Sequence, residues 1–309
     1  MPTTQQDKLE KRALTLGAFG NLGMAIIAWF TYWNSNSEAI LLDGNYSFVI
    51  FLGMGVALTV SRIKAKRTQT FPLGQFFYEA LYSFVKGLMI FGVILMAVVT
   101  SIARILFYVA GRTENIPMLN PDPILFYALA MAVICFALST YYRLTNKSIG
   151  YQSSILKTDS KASFVDGVLS LGIAVGVLLL RNTSPTGQAG FVPFLADSII
   201  TLILSATLMS KPLEIIRESV IELALGTLQN KEESEHLEAT IRGVCEPTFF
   251  VDQVYLSKTG SRYLAVTMVR PRDSDSLSMK AVENCKHDIK TQLQARYPHL
   301  IVQLLPVGV

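Results

Sequence analysis

Six stretches of the chain are long and apolar enough to cross a lipid bilayer, and they limit its fold more than any other feature. They run roughly over 14–33, 38–61, 79–107, 123–142, 154–180 and 191–210. A span needs about 20 predominantly apolar residues. In lipid each backbone polar group must be bonded within its own segment, so such runs become helices. W-N-S-N-S-E separates the first two runs and R-N-T-S-P-T-G-Q-A-G the fifth and sixth, so those turns are short. G-R-T-E-N-I-P-M-L-N-P-D-P, between the third and fourth, carries three prolines that break a helix. The chain opens on polar M-P-T-T-Q-Q-D-K-L-E-K-R, so no cleavable signal is expected, and the first run is long enough to stay in the membrane.

Positive charge sets the expected orientation. Lys8, Lys11 and Arg12 precede the first span, Arg62, Lys64, Lys66 and Arg67 follow the second, and Arg143, Lys147 and Lys157 follow the fourth. The alternate loops hold none, Arg112 alone and Arg181 alone. The excess of basic residues places both termini in the cytoplasm of a multi-pass protein. In a bacterium that membrane would be the inner membrane.

Beyond about residue 229 the pattern becomes that of a soluble domain. N-K-E-E-S-E-H-L-E-A-T-I-R-G-V-C has helical spacing with acids in its first turns. F-F-V-D-Q-V-Y-L-S-K and R-Y-L-A-V-T-M-V-R-P, joined by T-G-S, read as a β-hairpin. A helix over about 276–296 and a strand, L-I-V-Q-L-L-P, complete an α-β-β-α-β order. The expected fold class is therefore an all-α six-helix membrane domain, 1–212, followed by a small cytoplasmic α+β domain of ferredoxin-like type, 213–309. Cys135, Cys245 and Cys285 form no C-x-x-C pair, so neither a disulfide framework nor a zinc knuckle is expected. The net charge of +4 is mild, and no nucleic-acid partner is expected.

Ionisable residues inside a span cost roughly 2.5 kcal/mol or more and usually face a bundle interior or a wet path. Those singled out are Asp43 on span two, Glu79 and Lys86 on span three, Asp159, Lys161 and Asp166 on span five, and Asp197 on span six. Asp43 and Ser47 lie four apart on one helix face, and Asp159, Ser163 and Asp166 form a stripe on another. Lys161 lies about 200° around its helix from Asp159 and is placed to snorkel. Glu79 can be a helix-start acid, Asp159 a boundary acid and Asp197 a helix cap. Lys86 reads as paired or snorkelling. Position alone leaves Asp43 either a boundary acid or a ligand. Asp166, in mid-span, reads as functional. Two acidic stripes facing each other would make an oxygen-ligand site for a hard divalent cation.

These features resemble the cation diffusion facilitators, most specifically over L-L-D-G-N-Y-S (41–47), F-P-L-G-Q-F-F-Y-E (71–79) and T-D-S-K-A-S-F-V-D-G-V-L-S (158–170). The resemblance implies a homodimer that exports divalent metal cations in exchange for protons. Its four-residue transport site, two positions on span two and two on span five, falls on Asp43, Ser47, Ala162 and Asp166. Two positions thus keep a carboxylate, one a hydroxyl, and Ala162 has no donor. Leu73 stands where zinc exporters often carry a histidine, and His236, His287 and His299 all lie in the C-terminal domain. The chain resembles a divergent branch in which L-D-G-x-x-S replaces the usual paired ligands.

The expected metal site is Asp43, Ser47, Asp159 and Asp166. Its all-oxygen character shifts the expected cargo from Zn²⁺ toward Mn²⁺ or Fe²⁺. Metal and proton are the expected partners, with membrane lipid and a second copy of the chain, and no permanently bound cofactor is expected. The rival reading is a non-transporting membrane scaffold or regulatory subunit that has lost part of the site. A membrane enzyme fits poorly: no Ser/His/Asp set is suggested, no histidine lies near the membrane, and the Walker pattern is absent. G-N-L-G-M-A in span one reads as small-residue helix packing.

Overall fold

The computed structural model describes residues 5–112, 114, 120–148, 154–181, 192–272, 279–294, 296–297 and 299–307. Six helices cover the six apolar runs: α1 (Gln5–Ser35), α2 (Glu38–Ile63), α3 (Phe77–Val109), α4 (Pro121–Ser148), α5 (Ser154–Arg181) and α6 (Val192–Leu208). Five helical stretches among the described residues have the length and composition to cross a membrane; the fifth, Leu195–Leu223, continues beyond α6. In α5 the described apolar stretch is shorter, Asp166–Val175. Asn36, at φ +57, makes the two-residue turn from α1 to α2, a conformation Asn tolerates better than most residues. The loop 182–191 lies outside the described residues.

The chain divides into two compact units, one of 1–55 and 89–212, the other of 56–88 and 213–309. In the first, α4 packs along α5 and against α1. Ser139 and Ser160 each donate a hydroxyl to the other's backbone carbonyl, at 2.7 and 2.9 Å. Small hydroxyl residues let helix backbones approach closely in lipid. Met24, Ala28, Ile40, Ile124, Tyr127 and Met131 fill one core cluster, and Leu42, Val49, Ile90 and Ile94 another.

In the second unit, α7 (Ser210–Leu223) occupies a stretch for which the sequence pattern suggested no element of its own. It follows α6 with only Met209 between, so its amphipathic pattern is hidden at the end of the apolar run. Then come α8 (Lys231–Cys245), β1 (Phe249–Thr259), β2 (Arg262–Pro271), α9 (Met279–Leu293) and β3 (Leu300–Pro306), in the expected α-β-β-α-β order. Asn230 caps α8 by accepting the Glu233 amide at 3.2 Å. β1 and β2 pair antiparallel through the Gly260–Ser261 turn, and β2 pairs parallel with β3. Ala265, Thr267 and Val269 alternate along β2 and are all fully buried. Ala265 and Val269 join Leu237 and Ile241 of α8 and Ile289 of α9 in one core. The Cys245 and Cys285 thiols, 40 residues apart in sequence, approach to 2.9 Å there.

Glu79 does more than start α3. Its carboxylate accepts from Lys64 Nζ at 2.7 Å and from the amide and hydroxyl of Ser261 at 2.6 and 2.7 Å, fastening the hairpin tip. Lys86 stands over the Tyr82 ring at 5.9 Å. Leu73 is exposed, and its carbonyl accepts from Arg262 at 3.1 Å.

Candidate metal centre

The motif L-D-G-N-Y distributes its side chains around α2 with a separate task for each. Gly44 faces α1 so closely that an added Cβ would stand 2.6 Å from Ala28 Cβ. Asn45 faces the same helix and accepts the Trp29 indole N–H at 2.9 Å. With that face fixed against α1, Ala39, Leu42, Asp43 and Tyr46 form an i, i+3, i+4, i+7 stripe on another face. All four line one cavity.

Helix α5 repeats the device. Its Asp166 is also followed by a glycine, and a Cβ on Gly167 would press on the Phe136 ring of α4 at 3.0 Å. Asp166, Ser170 and Ile173, spaced i, i+4, i+7, line the same cavity, and Leu204 and Leu208 of α6 close it. The cavity measures about 50 Å³. That is room for an ion with a few waters, since one water needs about 10–15 Å³ on this measure. Two carboxylates, a phenol and a hydroxyl are its polar components, and the rest of its lining is apolar.

Asp43 is held from a third direction. Tyr127, on α4 and 2% exposed, donates its hydroxyl to Asp43 Oδ2 at 2.5 Å. Among the described residues no lysine or arginine pairs with Asp43 or Asp166. Lys211 adds a positive charge at longer range.

A second group of carboxylates is built differently. Arg104 of α3 bonds Glu38 at 2.7 Å, Asp197 of α6 at 3.5 Å and the Asn36 carbonyl at 3.0 Å. Asp197 also accepts the Glu38 amide at 2.7 Å and the Ser37 hydroxyl. Asp197 is thus a cap, but of α2, 160 residues away in sequence, and not of its own helix.

The sequence profile of the cation efflux transmembrane domain matches residues 14–224. The chain belongs to this family. A comparison with curated proteins gave no match. Members of the cation efflux family carry cations across membranes, and this chain has the helical membrane domain and small C-terminal sheet that go with it.

Of the four metal positions expected in this cation efflux protein, Asp43 and Asp166 meet at the cavity. Ser47 is buried, at 6% exposure, but is not part of the cavity wall. The side chains of Asp159 and Ala162 lie outside the described residues. Sequence reading missed Tyr46, Ser170 and Tyr127. Ser170 was within reach, because continuing the acidic stripe of span five by four residues arrives at it. Tyr127 was not, because a tyrosine in an apolar helix does not announce its partner. Glu38 and Arg104 were overlooked, although an arginine inside span three is itself a signal that carboxylates stand nearby.

Proposed function

We propose that this cation efflux protein exports a divalent metal ion from the cytoplasm by exchange for protons, with Asp43 and Asp166 holding the ion. The observation that carries the reading is the small, mostly apolar cavity into which both carboxylates converge, with no paired lysine or arginine among the described residues. Two negative charges in such a place need compensation. A divalent cation supplies it, and protons supply it after the cation leaves, so metal and proton compete for the same oxygens. Ligand and proton carrier are then one pair of residues. Tyr46, Ser170 and waters are the remaining oxygen donors at hand. A set without imidazole or thiolate favours Mn²⁺ or Fe²⁺ over Zn²⁺.

In this reading both termini are cytoplasmic, the basic segment Arg62–Arg67 faces anionic lipid, and two copies associate through the C-terminal domain. The transport cycle needs no resident cofactor. In proteoliposomes, Asp166→Ala is expected to abolish metal-dependent proton flux. Undiminished flux with several divalent ions would sink the site.

A second reading, a non-transporting membrane subunit, draws support from the thin donor set, with Ser47 off the cavity wall. Metal binding by the purified full-length chain separates the two, since a scaffold requires none.

A further inference from the structure

We propose that Tyr127 is the positioning residue of the cation site, acting through Asp43 by occupying one carboxylate oxygen and leaving the other for the metal. This inference rests on the assignment of Asp43 and Asp166 as the cation site. Helix α4 contributes no residue to the cavity wall, so Tyr127 reaches the site only by way of Asp43. Its ring is fixed by burial among Met24, Ala28, Ile40, Ile124 and Met131. Its hydroxyl meets Asp43 Oδ2 at 2.5 Å, and among the described residues no donor is assigned to Oδ1.

A buried tyrosine usually finds a partner for its O–H, and a backbone carbonyl would serve an ordinary core tyrosine. Here the acceptor is the carboxylate that lines the cavity. Ser47, one turn along α2, stands off the cavity wall and does not share this task. An aspartate without such a bond is free to turn about its terminal torsion and present either oxygen or both. One bonded oxygen sets the carboxylate plane before the ion arrives. Groups that orient metal ligands in this way typically alter affinity about 10–100-fold when removed.

The test uses full-length protein with Mn²⁺ as the probe, by calorimetry in detergent and by transport in proteoliposomes. Tyr127→Phe removes the hydroxyl and keeps the ring. Met131→Leu disturbs the same packing cluster and keeps the hydroxyl. The expected result is about a 10–100-fold loss of Mn²⁺ affinity for Tyr127→Phe alone, with KM raised and kcat retained. Unchanged affinity in Tyr127→Phe overturns the proposal. Equal losses in both variants, or a fall in kcat at constant KM, also overturn it and leave Tyr127 a packing residue. Asp166→Asn is the separate control on the underlying assignment. If that variant binds Mn²⁺ as tightly as the unaltered protein, the cavity is not the metal site, whatever Tyr127→Phe does.

Discussion

Two pairs of carboxylates share helix α2, Glu38 with Asp197, both buried, and Asp43 with Asp166, both partly buried, and they differ in what neutralises them. Glu38, in the first turn, and Asp197 have a permanent cation, the Arg104 guanidinium, whose fork reaches both acids and a backbone carbonyl. Asp43 stands five residues further on, about 7.5 Å along the axis, and shares a cavity with Asp166. The first group is saturated: Asp197 alone takes bonds from Arg104, Ser37 and the Glu38 amide. Among the described residues the second group has one phenol bond and a space. A charge kept out of water must be paired. Where the chain supplies the counter-ion, the pair ties helices together. Where it supplies a cavity instead, the counter-ion can come and go, which is why the second group and not the first is proposed as the transport site.

The strongest way to break this contrast is to remove the built-in cation. Arg104→Ala leaves Glu38 and Asp197 buried without their partner, and breaking a buried ion pair costs about 3–5 kcal/mol. Purified Arg104→Ala protein should therefore melt well below the unaltered protein, with Arg104→Lys in between because an ammonium lacks the planar fork. Asp166→Asn should behave in the opposite way. Without metal it removes a carboxylate that no lysine or arginine among the described residues pairs, so its melting temperature should not fall. With excess Mn²⁺ it should miss the stabilisation that a ligand at 100 times its Kd gives, about 2.7 kcal/mol. Should Asp166→Asn destabilise the metal-free protein as strongly as Arg104→Ala, the two groups are of one kind and the distinction fails.

The same contrast explains what was legible in the sequence. Helix bounds were readable because an apolar run of span length has only one structure in lipid: 38–61 became Glu38–Ile63, and 79–107 became Phe77–Val109. The hairpin was readable from its alternating residues and T-G-S turn, which became Thr259, Gly260 and Ser261 between paired strands. Asp166 was readable as a candidate because a mid-span carboxylate is costly wherever it stands, whereas Asp43, near the start of its span, became one only through the acidic stripe on span five and the family resemblance. What neutralises each acid was not readable. Asp197 finds Ser37 and the Glu38 amide, and Asp43 finds Tyr127 84 residues away, through helix packing that no local pattern encodes. Helix α7 stayed hidden because it continues α6 after a single residue.

A smaller effect sharpens the contrast from the backbone side. The Asp43 group depends on α1 and α2 lying very close, and Gly44 permits that approach. Gly44→Val would drive a Cβ into Ala28 and push against Trp29, whose indole anchors Asn45. Overpacking of this kind costs about 1–3 kcal/mol. The shift should weaken Mn²⁺ binding along with stability, because Asp43 rides on the displaced segment. Unchanged binding in Gly44→Val protein would mean that the close contact with α1 is irrelevant to the cavity.

The smallest expected effect falls on Ser47, one turn along α2 from Asp43. As a fourth ligand it would have to reach the ion, and its loss would cost at least a tenfold change in affinity, about 1.4 kcal/mol. Its side chain is buried yet forms no part of the cavity wall that Asp43 and Tyr46 share with Asp166 and Ser170. Ser47→Ala should therefore change Mn²⁺ affinity by less than tenfold. Ser170→Ala, one turn from Asp166 and on the wall, should have the larger effect of the two hydroxyl removals. The reverse order, with melting temperatures unchanged, would make Ser47 a ligand and bring the span-two pair, Asp43 and Ser47, to the ion together.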